Sequence, residues 1–463
     1  MKSALTEDDV TESPKDESFT QIRVTRGWLN DRLLRYLIPR HARPSDSVRN
    51  VAHGKTVTNP YSAETHFARE QGYAFKGNER ETFGSIVRAP GEATLRSASS
   101  QSRPVKVGFL SYPMLFQNEG GLQVQIRETQ GSLRELGIDV KLVDTTRDDL
   151  ADFDIIHIFS VLHGNFKLVE QARAKGCRVV VSGLLNPALV IKEPLRLAAV
   201  RMLGSLIARI SQYKVTTDFS SVQKALAGAD HIIALSNWER GVASQVFGAA
   251  PSRVSVIPNG VSQHFFAADM AAFHAEYRIE GPFVFCPGQI SPWKNQISLV
   301  KAMAGTGITV VLAGPVHASN RASLDACLAV PDSKVLYLGN LERMSPVFSG
   351  AYAAASAVVL PSKAESGPLV AFESLAAGTP AVITCHNGLD MLPDGRCLHT
   401  VAPFDVQAIR DTVLAAVAAQ TDPKICRAAV EDKSWSSVAA QIADIYSACL
   451  SRPAYSAACA AAA

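Results

Sequence analysis

From Val105 onward, short apolar runs alternate with segments of helix length, and this alternation restricts the fold more than any other feature of the chain. Strands of a parallel sheet are buried on both faces, so they read as continuous apolar runs, and each needs a long connection, usually a helix, before the next. Strands are predicted at Val105–Leu110, Val140–Val143, Ile155–Phe159, Val179–Val181, Ile232–Leu235 and Val254–Ile257, with a helix over Gln123–Leu136 stopped by Gly137. After a break at Asn259-Gly260 a second series follows: Phe283–Pro287, Thr309–Ala313, Val335–Leu338, Ala357–Leu360 and Ala381–Thr384. The predicted class is α/β, two tandem doubly wound domains at 104–265 and 266–433 whose strand ends face a common cleft. A last amphipathic helix at 434–452 is predicted to return toward the first domain, ahead of an alanine-rich tail at 453–463.

Residues 1–103 show no sustained period and end in the polar run Arg96–Arg103, as an irregular extension does. Within it, Trp28, Leu33, Leu34 and Leu37 interleave with Arg26, Arg32, Arg35 and Arg40, a pattern that fits docking on a protein surface first and a membrane surface second. The same two options hold for Leu189–Ile210, where apolar residues mix with Lys192, Arg196, Arg201 and Arg209: an interior-facing helix with solvated arginines is the first reading, peripheral membrane contact the second. A formal charge of +3 is too small for a nucleic-acid binder. Eight scattered cysteines without a C-x-x-C pair suggest neither zinc nor a disulfide framework, and so a reducing compartment. The acidic start Glu7-Asp8-Asp9 and the lack of an 18-residue apolar run suggest a cytoplasmic protein, with a contact at the inner face of the membrane as an addition.

The stretch with most chemical content is Pro361-Ser-Lys-Ala-Glu365-Ser-Gly-Pro-Leu-Val-Ala-Phe-Glu373-Ser-Leu-Ala-Ala-Gly378-Thr-Pro380. It follows a buried strand and opens a helix, with Ser366 or Gly367 as cap, Pro368 at the first helical position and Gly378 at the stop. The unpaired N–H groups near Leu369 and Val370 then make an anion site suited to a diphosphate. Glu373 lies one turn on and leans back toward the same place, where a carboxylate can hold a vicinal diol such as a ribose; Glu365, on the loop, can hold a sugar. Taken alone, Glu373 reads as a solvated helix glutamate and Glu365 as a first-turn charge favoured by the macrodipole.

With four further segments, this stretch resembles the retaining GT-B glycosyltransferases of the large family 4 group, over roughly Val105 to Leu450. The E-x7-E spacing of Glu365 and Glu373 is that family's. Asn118-Glu-Gly120-Gly121 looks like its glycine pair, His231–Ser236 and Val256–Val261 like its elements near the domain crossover, and Pro287-Gly-Gln289-Ile-Ser-Pro-Trp-Lys294-Asn like its diphosphate loop. The resemblance implies two Rossmann-like domains and transfer of a sugar, with retention, from a nucleotide-sugar donor to a saccharide or lipid-linked acceptor, in polysaccharide or surface-glycan synthesis. It implies no cofactor and no metal, with Lys294 and the amides of Leu369 and Val370 on the departing diphosphate, Gly120, Gly121 and Gly367 beside the donor, Glu373 on the ribose and Glu365 on the transferred sugar. Two departures stand out. Gln289 occupies the place of an arginine, and Ser182-Gly183-Leu-Leu-Asn186 replaces a histidine-bearing segment, leaving His157, His163 and Asn186 as first-domain candidates. A nucleotide-sugar epimerase of the same fold and a non-catalytic sugar-nucleotide-binding or scaffold protein are the alternatives. Asp152-Phe-Asp154 is formally a D-x-D, but it precedes a strand, where an aspartate is commonplace.

Overall fold

A computed structural model of the chain describes residues 104–117, 120–185, 195–392 and 395–451, with the backbone alone for 195–200. The N-terminal extension, the tail, Asn118, Glu119 and Asn186 lie outside the described residues.

The first sheet comprises β1 (Lys106–Leu110), β2 (Asp139–Leu142), β3 (Ile155–Phe159), β4 (Arg178–Ser182), β5 (His231–Ala234) and β6 (Val254–Val256). All pairs are parallel, in the order β2-β1-β3-β4-β5-β6. The second comprises β7 (Phe283–Pro287), β8 (Thr309–Ala313), β9 (Lys334–Tyr337), β10 (Ala357–Leu360), β11 (Ala381–Thr384) and β12 (Leu398–Val401), in the parallel order β12-β11-β10-β7-β8-β9. The doubly wound α/β class is thus as predicted. β12 is the addition: Leu398 and Val401 are buried, but His399 and Thr400 between them are open at a sheet edge, so the strand is too polar to read as an apolar run.

Chain order reverses between β1 and β3 in one sheet and between β7 and β10 in the other. At such a reversal the connections leave in opposite directions and open a crevice at the carboxyl ends of the strands. Those four strand ends carry the site. The helices that shape it are α1 (Gly121–Glu135), α2 (Leu195–Ile210), α3 (Asp218–Gly228), α4 (Asn237–Gly241), α5 (Gln296–Met303), α6 (Pro346–Ala354), α7 (Leu369–Ala377) and α8 (Trp435–Ser451).

α8 belongs to the core of the first domain although it comes last in the chain. Trp435, Val438, Ile442 and Tyr446 pack with Val107, Phe109, Ile126 and Leu133. The crossover runs beside it, with Val261 bridging Ser434. A Cβ at Gly260 would stand 2.8 Å from the Trp435 backbone, so only glycine fits there.

One expectation is overturned. α2 does not face the interior: Ala208 is buried, but Met202, Leu203, Leu206, Ile207 and Ile210 are all exposed. The physical reason is its inner edge, where Gly204 lies so close to Thr217 that an added Cβ would come within 2.9 Å. Only small residues fit that side, and the large ones are turned outward.

Candidate active site

The loops after β1, β7 and β10 bring two helix N-termini together. α1 starts at Gly121 and α7 at Leu369, and a Cβ on Gly121 would lie 3.8 Å from the Leu369 side chain. The first N–H groups of any helix have no intrahelical acceptor, and the macrodipole places partial positive charge there. Two such ends facing each other repel unless an anion lies between them, so the pair is an electropositive cradle built from backbone. Pro368 is the N-cap of α7, in an extended conformation, and not its first helical residue as predicted. The physical reason is its ψ of 120°, outside the helical range; Leu369 and Val370 are therefore the first two helical amides. Gly367 has φ +110°, a region costly for any other residue, and its carbonyl accepts from Asn259 Nδ2 at 2.8 Å, tying the crossover to this loop. Gly120, by contrast, is extended at φ −174° and needs no glycine for its backbone.

Lys294 and Glu365 meet directly. Lys294 Nζ donates to Glu365 Oε1 at 2.6 Å, joining the β7 and β10 loops. The loops are held from both sides: Trp293 Nε1 donates to the Ala364 carbonyl at 3.0 Å, and Lys363 N to the Trp293 carbonyl at 2.9 Å. Buried Asn295, left-handed at φ 57°, donates to the carbonyls of Pro361 and Pro403 and sets the start of α5. Gln289 lies on the same loop, its carbonyl accepting from Gln296 Nε2 at 3.1 Å. That loop crosses the one after β8 so closely that a Cβ on Gly314 would stand 2.2 Å from the Gly288 carbonyl oxygen.

Glu373 is placed differently from a carboxylate open to the cleft. It is 2% exposed, accepts a hydrogen bond from the Tyr352 hydroxyl on α6 and forms an ion pair with Arg343, from the loop between β9 and α6. Its carboxylate is thus already engaged by a guanidinium and a phenol. Arg343 also lies over the Phe265 ring, 5.5 Å from its centroid. Neither Arg343 nor Tyr352 carries a local sequence signal, because what selects them is a partner 21 or more residues away.

In the first domain, His157 is enclosed between β1 and β4. Its Nδ1 is 2.7 Å from the Tyr446 hydroxyl and its Nε2 2.9 Å from Ser182 Oγ, and burial pushes its pKa down to about 3. A neutral imidazole with both nitrogens engaged inside the sheet fastens α8 to the core. Tyr446→Phe is expected to cost about 1–3 kcal/mol of stability, the scale of a buried polar group left unpaired. Thermal melts of the two proteins check this. His163 is exposed on the loop after β3, its ring 4.5 Å from that of Tyr112 on the loop after β1. It borders the crevice, whereas His157 does not.

Glu239 on α4 was not singled out by the sequence, yet it organises strand ends of the first domain. Its two oxygens accept from Leu185 N at 2.8 Å and Leu235 N at 2.6 Å. A Cβ on Gly183 would meet it at 2.9 Å. Burial raises its pKa from 4.5 to about 7. The folded state therefore takes up a proton that the unfolded chain has released, so this residue's contribution to stability is present below pH 4.5 and is lost as pH rises to about 7. Buried His157, held at about 3, pulls the other way over much of the same window, so the check is a difference: the stability of the wild type relative to Glu239→Gln should fall as pH rises from 4.5 to about 7. Across the crevice, Asp390 accepts from the backbone N–H groups of Asn237 and Trp238 at 3.1 and 2.7 Å, so a second-domain carboxylate caps a first-domain helix. The D-x-D pair lies elsewhere: Asp154 precedes β3 at its amino end and accepts from Lys106 N at 2.9 Å.

Residues 281–419 match the family model described as Glycosyl transferases group 1. Among curated proteins, a D-inositol 3-phosphate glycosyltransferase of Frankia alni is 31% identical over 209 residues, which are 41% of this chain and 51% of that one. The chain thus spans about half the length of that relative. Among solved structures, sucrose-phosphate synthase of Thermosynechococcus elongatus superposes with a TM-score of 0.58 at 19% identity, over 75% of this chain and 99% of the other. HepE of Anabaena, crystallised in complex with UDP-glucose, gives 0.54 at 16% identity over 74% and 99%. The architecture is that of GT-B glycosyltransferases.

Proposed function

We infer that this chain, which carries a glycosyl transferases group 1 domain on a GT-B fold, moves a glycosyl group from a nucleotide-sugar donor to a saccharide or lipid-linked acceptor with retention at the anomeric carbon. The observation that carries this reading is the convergence of the α1 and α7 N-termini beside the Lys294–Glu365 pair. A diphosphate there is held by backbone amides and one ammonium, and that charge set suffices for a leaving group without calling on a divalent ion.

In this mechanism Lys294 turns from Glu365 to the diphosphate as the donor enters. Glu365, released, accepts hydrogen bonds from hydroxyls of the transferred sugar, and Glu373 shares its carboxylate between Arg343 and the ribose. The bond from the anomeric carbon to the phosphate oxygen breaks while the acceptor oxygen bonds on the same face, and the acceptor proton passes to the leaving phosphate oxygen. No enzyme nucleophile is needed. Contacts such as Asp390 with α4 draw the domains together and exclude water, limiting donor hydrolysis. A role in polysaccharide or surface-glycan synthesis follows from such acceptors.

The test is a panel of UDP-, GDP-, ADP- and TDP-sugars, scored by nucleotide release without acceptor, with D-inositol 3-phosphate and with a cell-lipid extract. UDP-glucose heads the panel because HepE binds it. Acceptor-dependent release from one donor, lost in Glu365→Ala, supports transfer. Interconversion of donor sugars without acceptor would mark an epimerase, and donor binding with no turnover a scaffold protein.

A further inference from the structure

We propose that the first domain docks through α2 onto a lipid surface bearing anionic headgroups. Met202, Leu203, Leu206, Ile207 and Ile210 are between 44% and 77% exposed. At about 100° per residue these five share one arc of about 140°, and buried Ala208 lies on the opposite side. An amphipathic helix normally turns such an arc inward. Here the small inner residues Gly204 and Ala208 hold the helix against α3 and the segment before it, and the apolar arc from Met202 to Ile210 is presented to the outside. Val215, just past the helix, is 59% exposed and extends the patch. Scattered single apolar residues on a surface mean little, but a contiguous face of this kind marks an interaction site.

Charge selects the occupant. From Pro194 to Thr217 the sequence holds Arg196, Arg201, Arg209 and Lys214 and no acidic residue. Arg209 is exposed at the margin of the apolar arc, and Lys214 is exposed in the turn after the helix, next to Val215. A second copy of the chain meeting this face about a two-fold axis would set these cations against their own counterparts, with no carboxylate in the segment to offset them. An interface of acyl chains beneath phosphate headgroups satisfies both parts at once, apolar side chains in the boundary layer and cations at the phosphates. Among the described residues no helix is long and apolar enough to cross a membrane, so α2 lies on the surface. The inference rests on the proposed function in one respect only: it makes the lipid-linked acceptor the natural one for this domain.

The experiment is co-sedimentation of the full chain with vesicles of phosphatidylcholine alone and of phosphatidylcholine mixed with phosphatidylglycerol, at low and high salt. Binding to the mixed vesicles is expected, weakening with salt. Arg209→Gln with Lys214→Gln should reduce it about 30-fold, from roughly fivefold per basic residue at an anionic surface. Met202→Ser with Leu206→Ser and Ile210→Ser should abolish it while leaving the melting temperature unchanged, since these side chains are exposed. Equal binding to both vesicle types, or binding that survives the serine substitutions, would overturn the proposal. So would concentration-dependent dimerisation lost in the serine variant, which would reveal a second copy on the face. Nucleotide release measured in parallel with soluble acceptor separates the two ideas: vesicle binding without release overturns transfer and leaves docking standing, and release without vesicle binding does the reverse.

Discussion

Replacing Lys294 by alanine is expected to lower turnover by about 10²–10³-fold, the usual cost of one preorganised charge stabiliser at a reacting centre. The side chain sits on the β7 loop, paired with Glu365, and its backbone is fixed independently by Ser291 and by Asn295 next to it, so the loop should survive the change. The pairing raises a competing explanation, that Lys294 only neutralises Glu365. A double variant, Lys294→Ala with Glu365→Gln, decides between them. If neutralisation were the whole role, the double variant would recover turnover relative to Lys294→Ala. If Lys294 holds the leaving diphosphate, it stays as slow or slower. Unchanged turnover in Lys294→Ala itself would remove the residue from the mechanism.

The second large effect concerns Glu373, and here it is stability that should move most. Glu373→Ala strands Arg343 and the Tyr352 hydroxyl in a buried setting, and breaking such a pair from one side costs about 3–5 kcal/mol. The second domain should unfold at clearly lower urea. Glu373→Gln keeps the volume and an acceptor for Tyr352, so it should fold better than the alanine variant. It loses the charge that a ribose diol would use, and free nucleoside diphosphate should bind it more weakly by about 1–3 kcal/mol in titration calorimetry. A dissociation constant identical to that of the wild type would disprove the ribose assignment while leaving the ion pair as a structural element.

What the sequence discloses of this molecule is whatever depends on short-range order. Eleven strands announce themselves because each is a run of apolar residues between breakers, and α7 because Gly367, Pro368 and Gly378 bracket it. β12 escapes because an edge strand needs no apolar run. The site divides along the same line. Lys294 and Glu365 stand in recognisable loops, and the structure places them in contact. Arg343, Tyr352, Trp293, Glu239 and Asp390 act on residues far along the chain, and nothing adjacent to them in sequence advertises the partner. α2 misleads for a related reason. Its composition is that of a packed helix, and only the proximity of Gly204 to Thr217 decides which way it turns. His157 was one of three first-domain candidates by position; its two partners, Tyr446 and Ser182, make it part of the frame.

The place of α8 in the first domain bears on how the polypeptide is made. A ribosome releases β1 through β6 long before it reaches Trp435, so the first sheet emerges with the face under Phe109, Ile126 and Leu133 still lacking its cover. That face can close only after the whole of the second domain has been synthesised, which inverts the usual order in which the leading domain finishes first. During that interval the nascent first domain exposes apolar surface of its own, and a newly made chain is most open to aggregation and to chaperone capture then. A chain truncated before Trp435 should stay in that unfinished condition.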